Sequence, residues 1–388
     1  MISITKLLTG AEHYGDSLRY TSETARGTHG VSTGKGPVVV WNCTRTCNLR
    51  CAHCYSASQD KAYQNELDNG QARALIDDLA AFQSPVLLFS GGEPLMRQDI
   101  LELIAHAVQR GIRATLSTNG TLIDPEMAAK LKELGVGYVG ISLDGLEPTN
   151  DRFRGQDGAF AQALAGIRNC VAVGQRVGLR FTINKHNYTE IDSIFDLLEA
   201  EQVDRVCFYH LVYSGRGHSM RQQDISAEQS RAVMERIIER TMRMREKGLS
   251  KEVLTVDNHA DGVYLYLKMK DPAILQMLRR NGGNRSGIAI GCVDNEGNVH
   301  ADQFSGQYSF GNVKNKPFSE IWREAAHPIL AGLRDRKPLL KGRCASCTFL
   351  DVCNGNFRTR AEAVSGDFWE SDPACYLTDE EIRMGNDT

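Results

Sequence analysis

From Pro37 onward, short apolar runs alternate with stretches whose apolar residues recur at helical spacing. Pro37–Trp41, Val86–Ser90, Arg113–Ser117, Gly137–Leu143, Gly178–Ile183 and Arg205–Val212 read as strands, being short and rich in β-branched or aromatic residues. Between them Asp99–Arg110, Pro125–Leu134, Ala159–Val173 and Tyr188–Glu201 show the period of helices with one buried face. Strands separated by helices of about ten or more residues pair in parallel through right-handed crossovers. The expected fold class is therefore α/β, a partial, open (β/α)6 barrel over residues 37–215. Such a sheet collects its ligands where the strands end.

The flanking regions break that rhythm. Residues 1–36, with Gly10, Gly15, Gly27, Gly30, Gly34 and Gly36, read as an irregular N-terminal arm with one short initial helix. It either covers the mouth of the barrel or is a plain surface extension. Residues 216–285 read as a helical connecting segment containing a long helix, Ser226–Lys247, whose Arg and Glu residues make a solvated face. Residues 286–388 read as a small α+β domain: Gly291–His300 is a hairpin turning at Glu296-Gly297-Asn298, and a helix follows toward Trp322.

A net charge of -3 in 388 residues provides no global attraction to nucleic acid or to an anionic membrane. No run reaches the ~18 apolar residues of a membrane span, and the first residues lack a signal-peptide pattern, so the expected location is cytoplasmic. Eleven cysteines without a secretion signal point to metal or redox chemistry before disulfides. Three lie at Cys47, Cys51 and Cys54, four lie between Cys344 and Cys375, and Cys43, Cys170, Cys207 and Cys292 stand apart.

Two short gaps in one loop let the thiolates of Cys47, Cys51 and Cys54 converge on one iron-sulfur cube, leaving one iron without a protein ligand. A zinc site completed by His53 is the alternative. The spacing resembles the signature of the radical S-adenosylmethionine (SAM) enzymes. In that family SAM takes the open iron, and an electron from the cluster splits it to release a 5′-deoxyadenosyl radical. The resemblance implies that His53 lies by the adenine, and that Gly91, Gly92 and Glu93 form the motif for the SAM amino group. It also implies that Ser117 and Ser142 contact the methionine or ribose, that Asp144 orients this shell, and that Arg154 pairs with the SAM carboxylate. For Ser117, Asn119 and Asp144 the competing reading is turn and helix capping.

Cys344, Cys347, Cys353 and Cys375 supply four more thiolates, enough for zinc or for a fully ligated cluster, and their spacing does not decide. Beside the first motif the region resembles the SPASM and twitch domains of radical SAM enzymes, which implies a second, auxiliary 4Fe-4S cluster. The pattern departs at Phe357, where that family has another cysteine. Cys292 is left over, as a small buried apolar residue.

Narrower stretches resemble the tetrapyrrole-modifying branch: Val38–Asn42, Arg205–Gly217, Thr255–Gly262 and Asp302–Phe304. The implied reaction is removal of the two acetate side chains of 12,18-didecarboxysiroheme to give iron-coproporphyrin III, and the sister reaction removes propionates in d-type heme synthesis. The implied partners are an iron tetrapyrrole substrate and an electron donor such as flavodoxin or ferredoxin. Tyr209, His210 and His259 are candidates for stacking, iron ligation or proton delivery, and Arg216 for a substrate carboxylate. For His259 a hydrogen-bonded structural role competes. A peptide-modifying SPASM maturase and a two-zinc binding module are the readings of other kinds.

Overall fold

The computed structural model describes residues 1–21 and 27–386. These form one ten-stranded sheet: β1 (Ile2–Ser3), β2 (Val38–Thr44), β3 (Val86–Gly91), β4 (Arg113–Thr118), β5 (Tyr138–Ser142), β6 (Val177–Ile183), β7 (Arg205–His210), β8 (Glu252–Val256), β9 (Ile290–Val293) and β10 (Val299–His300). The order across the sheet is β1-β8-β7-β6-β5-β4-β3-β2-β9-β10. β2 to β7 are the six expected strands, each parallel to the next.

Between these strands the chain returns through helices at Asn69–Ala81, Ile100–Gln109, Pro125–Glu133, Ala159–Ala172 and Ile191–Ala200. Local chemistry starts them: Asp68 and Gln71 make a reciprocal capping box, and Asp124 caps a helix whose first residue is Pro125. The apolar stripe Ile100, Leu103, Ile104 and Ala107 is buried in a core that includes Trp41, Phe89, Phe181 and Phe208. Each such side chain taken from water contributes roughly 1.5–3 kcal/mol. Strand residues of the opposite parity face the lumen.

Three expectations change. The segment 216–285 is not helical throughout, since β8 lies inside it and pairs in parallel with β7. Its first residue hides it from a hydrophobicity pattern: Glu252 is buried because Arg205 and Arg19 both pair with it. The one short helix expected in the arm forms at Ile4–Thr9, but the arm outside it is not all irregular. β1 pairs antiparallel with β8, Ser3 caps the helix Ile4–Thr9, and Tyr20 accepts a hydrogen bond from the Ser3 amide at 2.9 Å. Farther along, Trp322 Nε1 donates to the His29 carbonyl at 2.9 Å. The described part of 1–36 therefore runs along the sheet's periphery, and none of it lines the cavity at the strand ends. Residues 22–26 of the expected arm lie outside the described residues.

The C-terminal region, lastly, is continuous with the barrel. The expected hairpin forms from β9 and β10, and β9 pairs in parallel with β2. Arg360, wholly buried, reinforces the join by pairing with Asp372 while donating to the carbonyls of Leu211 (3.1 Å) and Asp257, at the ends of β7 and β8.

Candidate active site

Cys47, Cys51 and Cys54 lie in the loop after β2, on a cavity of roughly 1050 Å³, mouth included, at the C-terminal ends of the strands. The loop is held from both sides. Ala52 N donates to the Phe153 carbonyl (2.9 Å) and Arg50 N to the Arg154 carbonyl (3.2 Å). Arg216 grips the other side, with Nε on the Cys51 carbonyl (2.7 Å), Nη1 on the Ser58 carbonyl (2.8 Å) and its own amide on the Cys54 carbonyl (2.9 Å). Its expected place on a substrate carboxylate is thus corrected: its donors brace the cysteine loop, and it does not line the cavity.

The sulfurs have donors as well. Leu49 N lies 3.4 Å from Cys47 Sγ, and Arg154 Nη1 lies 3.5 Å from Cys51 Sγ. Such donors favour the thiolate, but burial outweighs them and leaves the Cys47 thiol raised to about 12. A cationic iron cluster reverses that cost. Three cysteines and no fourth among the cavity-lining residues fit a 4Fe-4S cube with one iron open to a ligand.

The diglycine has a different reason from the expected one. A β-carbon at Gly91 would sit 2.2 Å from the Thr44 carbonyl oxygen, and one at Gly92 2.1 Å from that of Thr46. Their neighbour is thus the cysteine loop's own backbone, which accepts hydrogen bonds from Gly92 N (2.7 Å) and Glu93 N (2.8 Å). Glu93 is held by the same turn. Its carboxylate is wholly buried, accepts from Thr118 Oγ1 (2.7 Å), Asn119 N (2.8 Å) and Leu95 N (3.2 Å), and is absent from the cavity lining.

Ser117 and Ser142, at the ends of β4 and β5, line the cavity beside Gly91 and Gly92. Arg154 lines it too, paired with Asp144, which is buried behind it and accepts from Thr182 N at 2.6 Å. His53 stacks on Phe153, with ring centroids 4.6 Å apart, and its Nε2 lies 3.8 Å from Asp144. Burial lowers its pKa to about 4, leaving a neutral ring over the cavity.

Tyr209, His210 and Phe304 line the cavity too, with Phe304 packed edge-on against Tyr55 of the cysteine loop, centroids 5.2 Å apart. His210 Nε2 lies 3.0 Å from Asp261, whose other oxygen accepts from the Tyr376 hydroxyl at 2.9 Å. Burial alone would lower the His210 pKa, but the facing carboxylate outweighs it and raises it. His259 is placed elsewhere. It is buried at the start of the helix Ala260–Met269, its Nε2 is 3.4 Å from the Met1 amine, and it does not line the cavity. The stacking or iron-ligating role expected of it is therefore not what its position allows. Among the charged lining residues, two escaped the sequence reading, Arg180 and Asp257. The alternation along β6 was the available sign for Arg180, since it leaves a charged residue facing the lumen.

Cys344, Cys347, Cys353 and Cys375 line a second, mostly apolar cavity of about 490 Å³, with Phe349 and Leu377. Four cysteines around one space fit a fully ligated cluster. Phe357 packs edge-on against Phe304, centroids 5.4 Å apart, so the departure from the cysteine pattern fills the gap between the two cavities with an aromatic wall. Cys292 is buried on β9 and accepts a long contact from Asn42 Nδ2 at 3.7 Å.

Comparison with known proteins follows the same division. The model of the radical SAM superfamily matches residues 41–198, and that of the SPASM iron-sulfur cluster-binding domain matches residues 285–348. The Fe-coproporphyrin III synthase of Methanosarcina barkeri is 56% identical over 98% of this chain and 99% of its own. The pre-heme d1 synthase of Dinoroseobacter shibae is 43% identical over 97% and 94%. Among solved structures, Streptococcus suis SuiB bound to S-adenosylmethionine covers 89% of this chain and 78% of its own at a TM-score of 0.72 and 17% identity. At that identity the likeness is one of fold.

Proposed function

We propose, from the premise that this chain belongs to the radical SAM superfamily, that it removes the two acetate side chains of 12,18-didecarboxysiroheme to give iron-coproporphyrin III. The observation that carries this reading is its near full-length similarity, at 56% identity, to an Fe-coproporphyrin III synthase. The chain is an enzyme of radical SAM heme biosynthesis, with a SAM-binding 4Fe-4S domain and a SPASM iron-sulfur domain.

When bound, the cluster and SAM supply an electron and a carbon-centred oxidant that takes a hydrogen atom from the substrate. The residues supply the rest. Cys47, Cys51 and Cys54 hold the first cluster, and Arg216 keeps their loop from opening. Arg154, fixed by Asp144, offers its guanidinium to the SAM carboxylate, while His53, Ser117 and Ser142 bound the rest of the cofactor. Tyr209 and Phe304 present flat apolar faces to a macrocycle and keep water from its edge. His210, held by Asp261, stores a proton within the cavity for the departing side chain or the ring. Cys344, Cys347, Cys353 and Cys375 hold the auxiliary cluster, and a flavodoxin- or ferredoxin-type donor supplies the electrons.

The pre-heme d1 synthase similarity keeps propionate removal from the same substrate as the second reading. The test is anaerobic incubation of reconstituted protein with SAM, a reductant and didecarboxysiroheme, followed by mass spectrometry. Loss of two acetates is the expected result. Loss of propionates with new oxo groups would favour the second reading, and an unchanged macrocycle would overturn both.

A further inference from the structure

We infer that Arg180 is the anchor for a peripheral carboxylate of the substrate, a role that rests on the tetrapyrrole reading above. β6 alternates, with Leu179, Phe181 and Ile183 buried toward the helices, while Arg180 faces the lumen and lines the cavity. The guanidinium lies over the Tyr209 ring, 4.7 Å from its centroid. Arg180 is half-buried and, among the described residues, enters no ion pair; the buried Arg336 and Arg358 also lack a carboxylate but spend their donors on backbone carbonyls, whereas no carbonyl among the described residues takes those of Arg180. Asp257, on the same wall, is outside ion-pair distance.

The neighbouring strand leaves space for this side chain. Gly140, on β5, has no β-carbon, and one placed there would come within 2.8 Å of Arg180 Cδ. A cation in a low-dielectric wall without a partner is costly, and the site is relieved when an anion arrives. A planar fork with free donors, pre-oriented on an aromatic face, is the arrangement that takes a carboxylate in two-point contact. An iron tetrapyrrole carrying carboxylate side chains presents such a group with its flat ring next to Tyr209. The role expected of Arg216 thus passes to a residue that does line the cavity.

The test is an anaerobic absorbance titration of the cluster-reconstituted protein with didecarboxysiroheme and, separately, with its fully esterified form. Arg180→Gln should weaken binding of the free acid about 10- to 100-fold and leave the ester unchanged, with Arg180→Lys recovering part of the loss. Equal weakening of both forms, or no weakening of the free acid, would overturn the assignment. Should Arg180→Gln fail to fold, Gly140→Ala crowds the same side chain without removing it and should give the same acid-selective loss; a loss shared with the ester would count against it. Wild-type protein that bound neither form would overturn the tetrapyrrole reading itself, and this inference with it.

Discussion

Glu93 is wholly buried, yet both of its oxygens are occupied by donors from the end of β4, the turn after it and the helical turn that starts at Pro94. Glu93→Ala should strand Thr118 Oγ1 and the Asn119 and Leu95 amides at about 1–3 kcal/mol for each unsatisfied group. Glu93→Gln should cost less, because burial already raises the carboxyl pKa and disfavours its charge. Denaturant unfolding of the two variants checks the order. Asp257 is the opposite case, a carboxyl with one oxygen lacking a partner, on a residue with φ of 66°, and burial raises its pKa to about 6. An unfolded Asp titrates near ~3.9, so the folded state holds this proton longer. Its contribution is present below about pH 4, is lost as pH rises to about 6, and stays lost above. Asp257→Asn should flatten that slope and stabilise the protein above about pH 6 by on the order of 2–3 kcal/mol, read from unfolding midpoints against pH. Neither Asp257 nor Arg180 was legible in the sequence as a site residue. An Asp after an unrecognised strand looks like a turn residue, and an Arg in a strand looks like a solvated face until the lumen is known.

The barrel elements themselves were legible, because their signals are local: period-two apolar runs, helical stripes, and caps such as Asp124-Pro125. β8 was not, since its buried Glu252 depends on Arg19 and Arg205, far away in sequence. The cysteine triad and the diglycine could each be read locally, but their mutual contact could not. That contact makes a prediction for the β3 end. Gly92→Ala drives a methyl group into the Thr46 carbonyl, so β3 and the cysteine loop must separate. The variant should retain its secondary structure by circular dichroism and lose iron from the first site. Iron analysis and SAM binding after reconstitution measure this, and full iron with normal SAM affinity would show that the loop accommodates the methyl.

The two cavities belong to one body. Tyr376, next to Cys375, reaches Asp261 and through it His210, so the linings of the two cavities share a hydrogen-bonded chain. Arg360 is the central tie, its guanidinium spread over Asp372 and the strand-end carbonyls. Arg360→Met leaves Asp372 charged and buried without its cation. The expected loss is about 3–5 kcal/mol, seen as a lower denaturant midpoint, and the double variant with Asp372→Leu should recover part of it.

β9, finally, completes the sheet beside β2 only after about three quarters of these 388 residues have been synthesised. Until residues 290–293 leave the ribosome, the strand that leads into the three-thiol loop has one bare flank, and that loop rests on an unfinished scaffold. A fragment stopped before residue 290 contains every sulfur of the first site, yet should emerge colourless from anaerobic reconstitution. Supplying the missing C-terminal piece in trans should restore a paramagnetic signal that responds to SAM, which the auxiliary cysteines of that piece would not give alone, and this makes maturation of the first centre a late event in the life of each polypeptide.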